Sequence, residues 1–373
     1  MCSLIPSDPA EALSQAPSDL SAFVHSKTEL KTRLEAYTPL NANDDTVHFL
    51  DMFFKFLPED GKYNLTEDVV GCESDDTLRQ LVMSLDTGLL RPIKANGGKT
   101  PAITPSPRFG VEDSIEALNS MDFASASRNA QQHLRNECLA RDGGMCVVSK
   151  AHDQDTRPPP DSLFSPLETA HIIPFSLASF SDEDDRLRAS TIWTNIYRYF
   201  PSLRSRMSFT LENINNVENS MMLVPSLHTE FGRFHFAFEA TSTIHRYRLK
   251  TYRNFATVNN HLLPTNRIVT FTNHNTQHLP PHPKLIEVHT AIANILNATG
   301  RGELVEKIQR EQGNSGGVLA NNGSTDIGQI LSCSRLNLLT QPKEKGPRDM
   351  KHPLLKNQTL KGGSVLKENQ PAR

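Results

Sequence analysis

The chain has 373 residues, 37% of them hydrophobic and 22% charged, with a formal net charge of −3. That length suggests about two domains, and the apolar share lies below the globular norm of roughly 45–50%, so part of the chain is expected outside any packed core. No run approaches the ~18 apolar residues of a membrane span, the opening MCSLIPSDPA lacks the pattern of a secretory leader, and the cysteines (Cys2, Cys72, Cys138, Cys146, Cys333) form no CxxC pair; no membrane partner, no disulfide framework and an intracellular setting, cytoplasmic or nuclear, are expected.

In chain order, residues 1–20 are rich in Ser, Pro and Ala and are expected to be disordered. From 21 to 90 the apolar residues recur at helical spacing, clearest in HFLDMFFKFL (His48 to Leu57) and DDTLRQLVMSL (Asp75 to Leu85). A small helical domain is predicted, with Asp75 or Asp76 as the N-cap of the latter helix and Gly61 and Gly71 between elements. Residues 91–122 are dense in Pro and Gly and read as a linker. SRNAQQHLRNECLARDGG predicts a helix ended by Gly143 and Gly144, which suit a left-handed cap. CVVSK (Cys146 to Lys150) reads as a short strand, and LETAHIIPF (Leu167 to Phe175) as a strand closed by Pro174.

Residues 181–213 look like an insertion, an acidic turn followed by a helix around Ile192 to Tyr199. SMMLVPSLHTEFGRF (Ser220 to Phe234) predicts a strand and then a helix from about Pro225, a residue well tolerated at a first helical position. FHFAFEA and HRYRLKTY alternate as strands do, and KLIEVHTAIANILNATG is an amphipathic helix stopped by Gly300. Residues 301–373 are polar, punctuated by Gly and Pro, and basic, and are expected to be a disordered tail.

Charge divides unevenly. Residues 1–100 hold 9 Lys and Arg against 16 Asp and Glu, whereas 186–267 hold 11 against 4 and 301–373 hold 12 against 7. A basic middle and tail fit a polyanionic partner. Arg186, Arg188, Arg198, Arg204 and Arg206 in the insertion either grip phosphates or form a solvated helix face.

Cutting a phosphodiester requires a base that deprotonates water, a divalent cation on the scissile phosphate, and something to hold the base. A β-hairpin followed by a helix supplies these compactly. AHIIPF sets His171 on a short strand, NSMMLVPSLH sets Asn219 ahead of a second strand, and His228 follows on the helix.

Here the sequence resembles the HNH endonuclease family, most of all fungal members whose first motif reads Ala-His-Ile-x-Pro-Phe and which carry a long insertion. Arg135, Arg141 and Cys146 upstream and the helix around His289 extend the resemblance over about 126–300. It implies an α+β fold with a ββα-metal hairpin-plus-helix module and flanking helices, within an HNH nuclease-like domain at 123–300. It also implies a divalent metal (Mg²⁺, Mn²⁺ or Zn²⁺), and nucleic acid as partner, DNA before RNA. His171 would be the general base, Asn219 would fix the hairpin and orient His171 through its side-chain amide, and His228 would ligate the metal. Ala170 and Gly232 stand where many members carry further ligands. Glu168, Glu230 or His235 would have to fill in, with Glu168 disfavoured because strand alternation puts it opposite His171. Two readings stay open: a metal-dependent endonuclease, and a degenerate HNH fold that binds nucleic acid or protein. Cys146 and His289 are read as packing residues.

Overall fold

The computed structural model describes residues 27–95, 102–126, 130–156 and 159–314. The segment 1–20, the basic tail beyond 314 and part of the 91–122 stretch lie outside them.

The N-terminal part is helical: α1 (27–35), α2 (Thr46–Phe56), α3 (Glu59–Val70) and α4 (Asp75–Leu85). α2 buries Phe49, Leu50, Phe53 and Phe54, four positions that recur at helical spacing. The N-cap of α4 is Ser74, not Asp75 or Asp76. Its hydroxyl accepts from Thr77 N at 3.1 Å while the Thr77 hydroxyl accepts from Ser74 N, a reciprocal box that leaves both aspartates to favour the helix dipole from the first turn. Gly61 lies inside α3 rather than between elements. A Cβ there would collide with the Tyr199 carbonyl, so glycine lets α3 pack directly on the insertion.

The segment expected as a linker is largely structured. α4 continues through a π turn (Asp86–Leu90) into α5 (Arg91–Ala95), where Pro92, Ile93, Lys94 and Ala95 are buried, and α6 (Val111–Asn119) follows. Pro92 is the second residue after the π turn, where the regular i→i−4 bonding is already interrupted. Local Pro and Gly density concealed apolar anchors that tertiary contacts bury.

α7 (Gln131–Arg141) ends at Gly143 and Gly144, both at φ +67°, as the sequence predicted. CVVSK is a buried turn and not a strand. Lys150 N bonds the Cys146 carbonyl at 3.1 Å, and Cys146 N bonds Ala151 O at 2.8 Å. Its β-branched valines are there for burial. Two residues each of β1 (His152–Asp153) and β2 (Phe164–Ser165) pair in parallel. β3 (Glu168–His171) pairs antiparallel with β4 (Ser220–Leu223).

Between those strands, α8 (Glu183–Tyr199) and α9 (Ser202–Ser205) form the insertion, and α8 packs on α3 and α6. α10 (Pro225–Gly232) follows β4, and β5 (Phe236–Ala240), β6 (Arg246–Thr251) and β7 (Ile268–Thr270) make an antiparallel meander covered by α11 (Pro283–Ala298). α12 (Arg301–Asn314) corrects the expectation of disorder from 301 onward. Val305 and Ile308 are buried, and the helix packs on α5 and α11.

One continuous cluster of buried apolar residues runs from Leu30 to Leu296, so the N-terminal helices share their core with the rest. Among the described residues no helix is long and apolar enough to cross a membrane.

Candidate functional site

The site is built on the β3–β4 pair, with His171 opposite Ser220 and Glu168 opposite Leu223. All four β4 residues are buried, so this strand is a rigid floor. It is pinned from behind by a fully buried ion pair. Arg141 Nε and Nη2 donate to the two carboxylate oxygens of Asp142 at 2.7 and 2.9 Å, and further Arg141 N–H groups reach the Val217 and Ser220 carbonyls at 2.6 and 2.8 Å. Asp142 in turn accepts from Met222 N at 3.0 Å. Both carboxylate oxygens of Asp142 and the three guanidinium nitrogens of Arg141 are thus bonded, which is the condition for a buried charge to be tolerated.

After β4 the chain turns at Val224, and Pro225 opens α10 at a position where its missing N–H is harmless. This brings His228 back over β3. His171, His228, Glu168, Thr169, Gly232 and Arg135 line one open cavity of about 460 Å³. The two histidines, 57 positions apart in the chain, therefore meet at one cavity.

Glu168 also reaches it: its Oε2 accepts from His228 Nδ1 at 2.6 Å. Strand alternation disfavoured this residue. A four-residue strand with a long side chain near its end does not enforce parity, and α10 lies across the gap. Arg135 projects from α7, its Nη2 held at 2.7 Å by the buried Asp153.

His171 is lowered from its ordinary pKa, first by burial and then by the nearby His228, against the opposing effect of its hydrogen bond to Asn215. It is neutral at pH 7, the state in which an imidazole can accept a proton. That bond runs from Nε2 to Asn215 Oδ1 at 3.1 Å.

Among the described residues no hydrogen bond joins Asn219 to the His171 ring; its amide fixes the backbone around it. Fully buried, it accepts from Ile173 N at 2.9 Å and donates to the carbonyls of Ile173 and Ile214 at 3.0 and 2.9 Å. It clamps the backbone on either side of the site. Asn215 was visible in the sequence only as one of four clustered asparagines, with no signal to single it out.

Glu230 and His235 lie elsewhere. His235 Nδ1 pairs with Glu230 at 2.7 Å and Nε2 with Glu306 at 2.7 Å, while Glu306 also accepts from Lys94 Nζ at 2.5 Å. Burial alone would raise the Glu306 carboxyl, but bonds from His235 and Lys94 bring it down to about 2. This closed network ties α10, α5 and α12 together and leaves neither ring nitrogen of His235 spare.

The arginine row of the insertion also divides. Arg186 bonds the Asn119 and Met121 carbonyls at 2.8 and 2.6 Å, and Arg198 is held by Glu67 and Asp68 at 2.6 and 2.8 Å. Both fasten α8 to the helices around it. Arg204 lies over the Tyr197 ring at 5.5 Å, Arg206 is exposed and Arg188 is half-buried. None of the five lines the histidine cavity.

Cys146 is fully buried. His289 is stacked between Phe231 and Phe234 at centroid distances of 3.8 and 4.4 Å, and burial pushes it down to about 3.

Among the described residues, no group of three or more His, Cys, Asp or Glu side chains is arranged to hold a metal ion. A model of the HNH endonuclease family matches residues 146–239. No curated protein and no solved structure matches the chain.

Proposed function

Residues 146–239 carry an HNH endonuclease domain, and from that premise we propose that the chain hydrolyses phosphodiester bonds of nucleic acid, DNA in preference to RNA, with a divalent cation. The observation that carries the reading is the shared cavity, where a neutral imidazole faces an imidazole–carboxylate pair across about 460 Å³.

The donor set decides which ions fit. His228 offers one imidazole nitrogen, Glu168 being engaged on the other, and neither Ala170 nor Gly232 adds a ligand. Mg²⁺ and Mn²⁺ tolerate one or two protein ligands with water completing the shell, whereas Zn²⁺ favours three or four nitrogen or sulfur donors. The set fits the first two better. When bound, the cation supplies charge stabilisation on the scissile phosphate and the leaving oxygen.

The chain's own residues do the rest. Glu168 holds His228 at Nδ1 and leaves Nε2 as its ligating nitrogen, the usual arrangement for a metal-binding imidazole. His171 takes the proton of the attacking water. Arg135, steadied by Asp153, has spare N–H groups for a phosphate oxygen. The β3–β4 pair with α10 supplies the hairpin-plus-helix of a ββα-metal module.

The test is cleavage of plasmid DNA and of structured RNA by the purified full chain with Mg²⁺, Mn²⁺ or Zn²⁺, beside His171→Ala. Nicking that falls by about 10²–10⁴-fold in the variant supports the base assignment. Full activity in His171→Ala rejects it. Equal nucleic-acid binding by both proteins with no cleavage by either replaces the nuclease by a degenerate binding fold.

A further inference from the structure

Among the described residues, the hydrogen-bonding partner of the His171 ring is Asn215. An amide oxygen only accepts, so Nε2 carries the proton and Nδ1 keeps the lone pair. Resting on the reading of His171 as the base, we infer that Asn215 is the positioning residue of this site. It fixes the tautomer and rotation of His171 so that Nδ1 is the nitrogen that receives the proton from water.

The placement is built from both sides. Asn215 ends a 3₁₀ turn (Leu211–Asn215) opened by a reciprocal cap, in which Thr210 N donates to Asn213 Oδ1 at 2.8 Å. The carbonyl just before Asn215, that of Ile214, accepts from Asn219 at 2.9 Å. The same Asn219 side chain binds both the N–H and the carbonyl of Ile173, two residues past His171. One buried amide thus locks the backbone flanking each end of the His171–Asn215 bond. Asn219 thus acts on the backbone that carries each partner, and Asn215 on the ring itself.

A carboxylate in its place would also accept from Nε2 and would favour the imidazolium more strongly, raising the pKa of His171, whereas an amide selects the same tautomer with a smaller upward pull. The charged or titratable groups that share the cavity with His171 are His228, Glu168, Arg135 and the buried His289.

The experiment compares wild type, Asn215→Ala, Asn215→Asp and His171→Ala in the full chain, with two readouts. In plasmid cleavage, Asn215→Ala lowers kcat by about tenfold to a hundredfold with KM little changed, the size expected when a catalytic group is loosened rather than removed. Asn215→Asp, of the same shape, recovers part of the rate and moves the acid limb of the kcat/KM profile to higher pH.

Imidazole ¹⁵N–¹H correlation spectra, which need no turnover, show His171 as the Nε2–H tautomer in wild type and a mixture in Asn215→Ala. Wild-type kinetics and pH profile in Asn215→Ala, with His171→Ala inactive, overturn the role of Asn215 and leave the base assignment standing. Full activity in His171→Ala removes the base assignment instead. An unchanged tautomer population in Asn215→Ala overturns the positioning role whatever the kinetics.

Discussion

Two histidine–carboxylate pairs lie on and just beyond α10, made of the same residue types at the same separation, and they do opposite things. His228 with Glu168 is open: the bond is 2.6 Å, the side chains are 33% and 49% exposed, and among the described residues no hydrogen bond engages the second ring nitrogen. His235 with Glu230 is closed: the bond is 2.7 Å, the side chains are 8% and 9% exposed, and Glu306 takes the second nitrogen. Both residues of each pair were candidates for metal ligation in the sequence. A ligand needs a free lone pair and room for water or substrate. Saturation by neighbours turns the same chemistry into a rivet between helices.

The sharpest way to break this contrast is to cut the closed network at Lys94. Its side chain is 2% exposed and pairs with Glu306. Lys94→Met leaves Glu306 with His235 alone and should lower unfolding stability by about 3–5 kcal/mol, as removal of one partner from a buried pair does. Urea melts would show it. Below the melting transition, cleavage per folded molecule should be unchanged; lost activity with an unaltered melt would mean that the closed pair is functional after all.

The open pair predicts the reverse. Glu168→Gln should leave the melt within about 0.5 kcal/mol, as for an exposed pair. It should weaken Mg²⁺ or Mn²⁺ dependence by about tenfold to a hundredfold, read as the metal concentration for half-maximal cleavage. A metal titration identical to wild type would remove Glu168 from the site.

A third test is in pH. His289 is pushed down to about 3 from 6.5, so the unfolded chain binds its proton first as pH falls. The stability it contributes is complete above pH 6.5 and is lost between 6.5 and about 3, at up to roughly 1.4 kcal/mol per pH unit. Glu306, brought down to about 2 from 4.5, adds a loss of the same sign below 4.5. His289→Phe should flatten the upper part of that curve, and an unchanged slope between pH 6 and 5 would contradict it.

Local order was legible wherever one segment contained its own reasons. Pro225 and the strand before it announced α10, and paired glycines announced the end of α7. The periodic apolar residues of α2 and α11 fixed which face is buried. The failures share one cause. The valines of the Cys146–Lys150 turn, the helices at 91–95 and 111–119, and α12 owe their state to partners distant in the chain, which no local window contains.

By itself the sequence determined the chemistry on offer: His171 after a short strand, Asn219 ahead of its partner strand, His228 one helical turn on. Tertiary structure alone decided how that chemistry is shared out. It brought Glu168 round to His228 and consigned His235 and Glu230 to the core. It also gave Asn215 rather than Asn219 to the ring of His171. Spacing along a chain fixes which faces a residue can present, but whether a polar atom is spare depends on what the rest of the molecule packs against it.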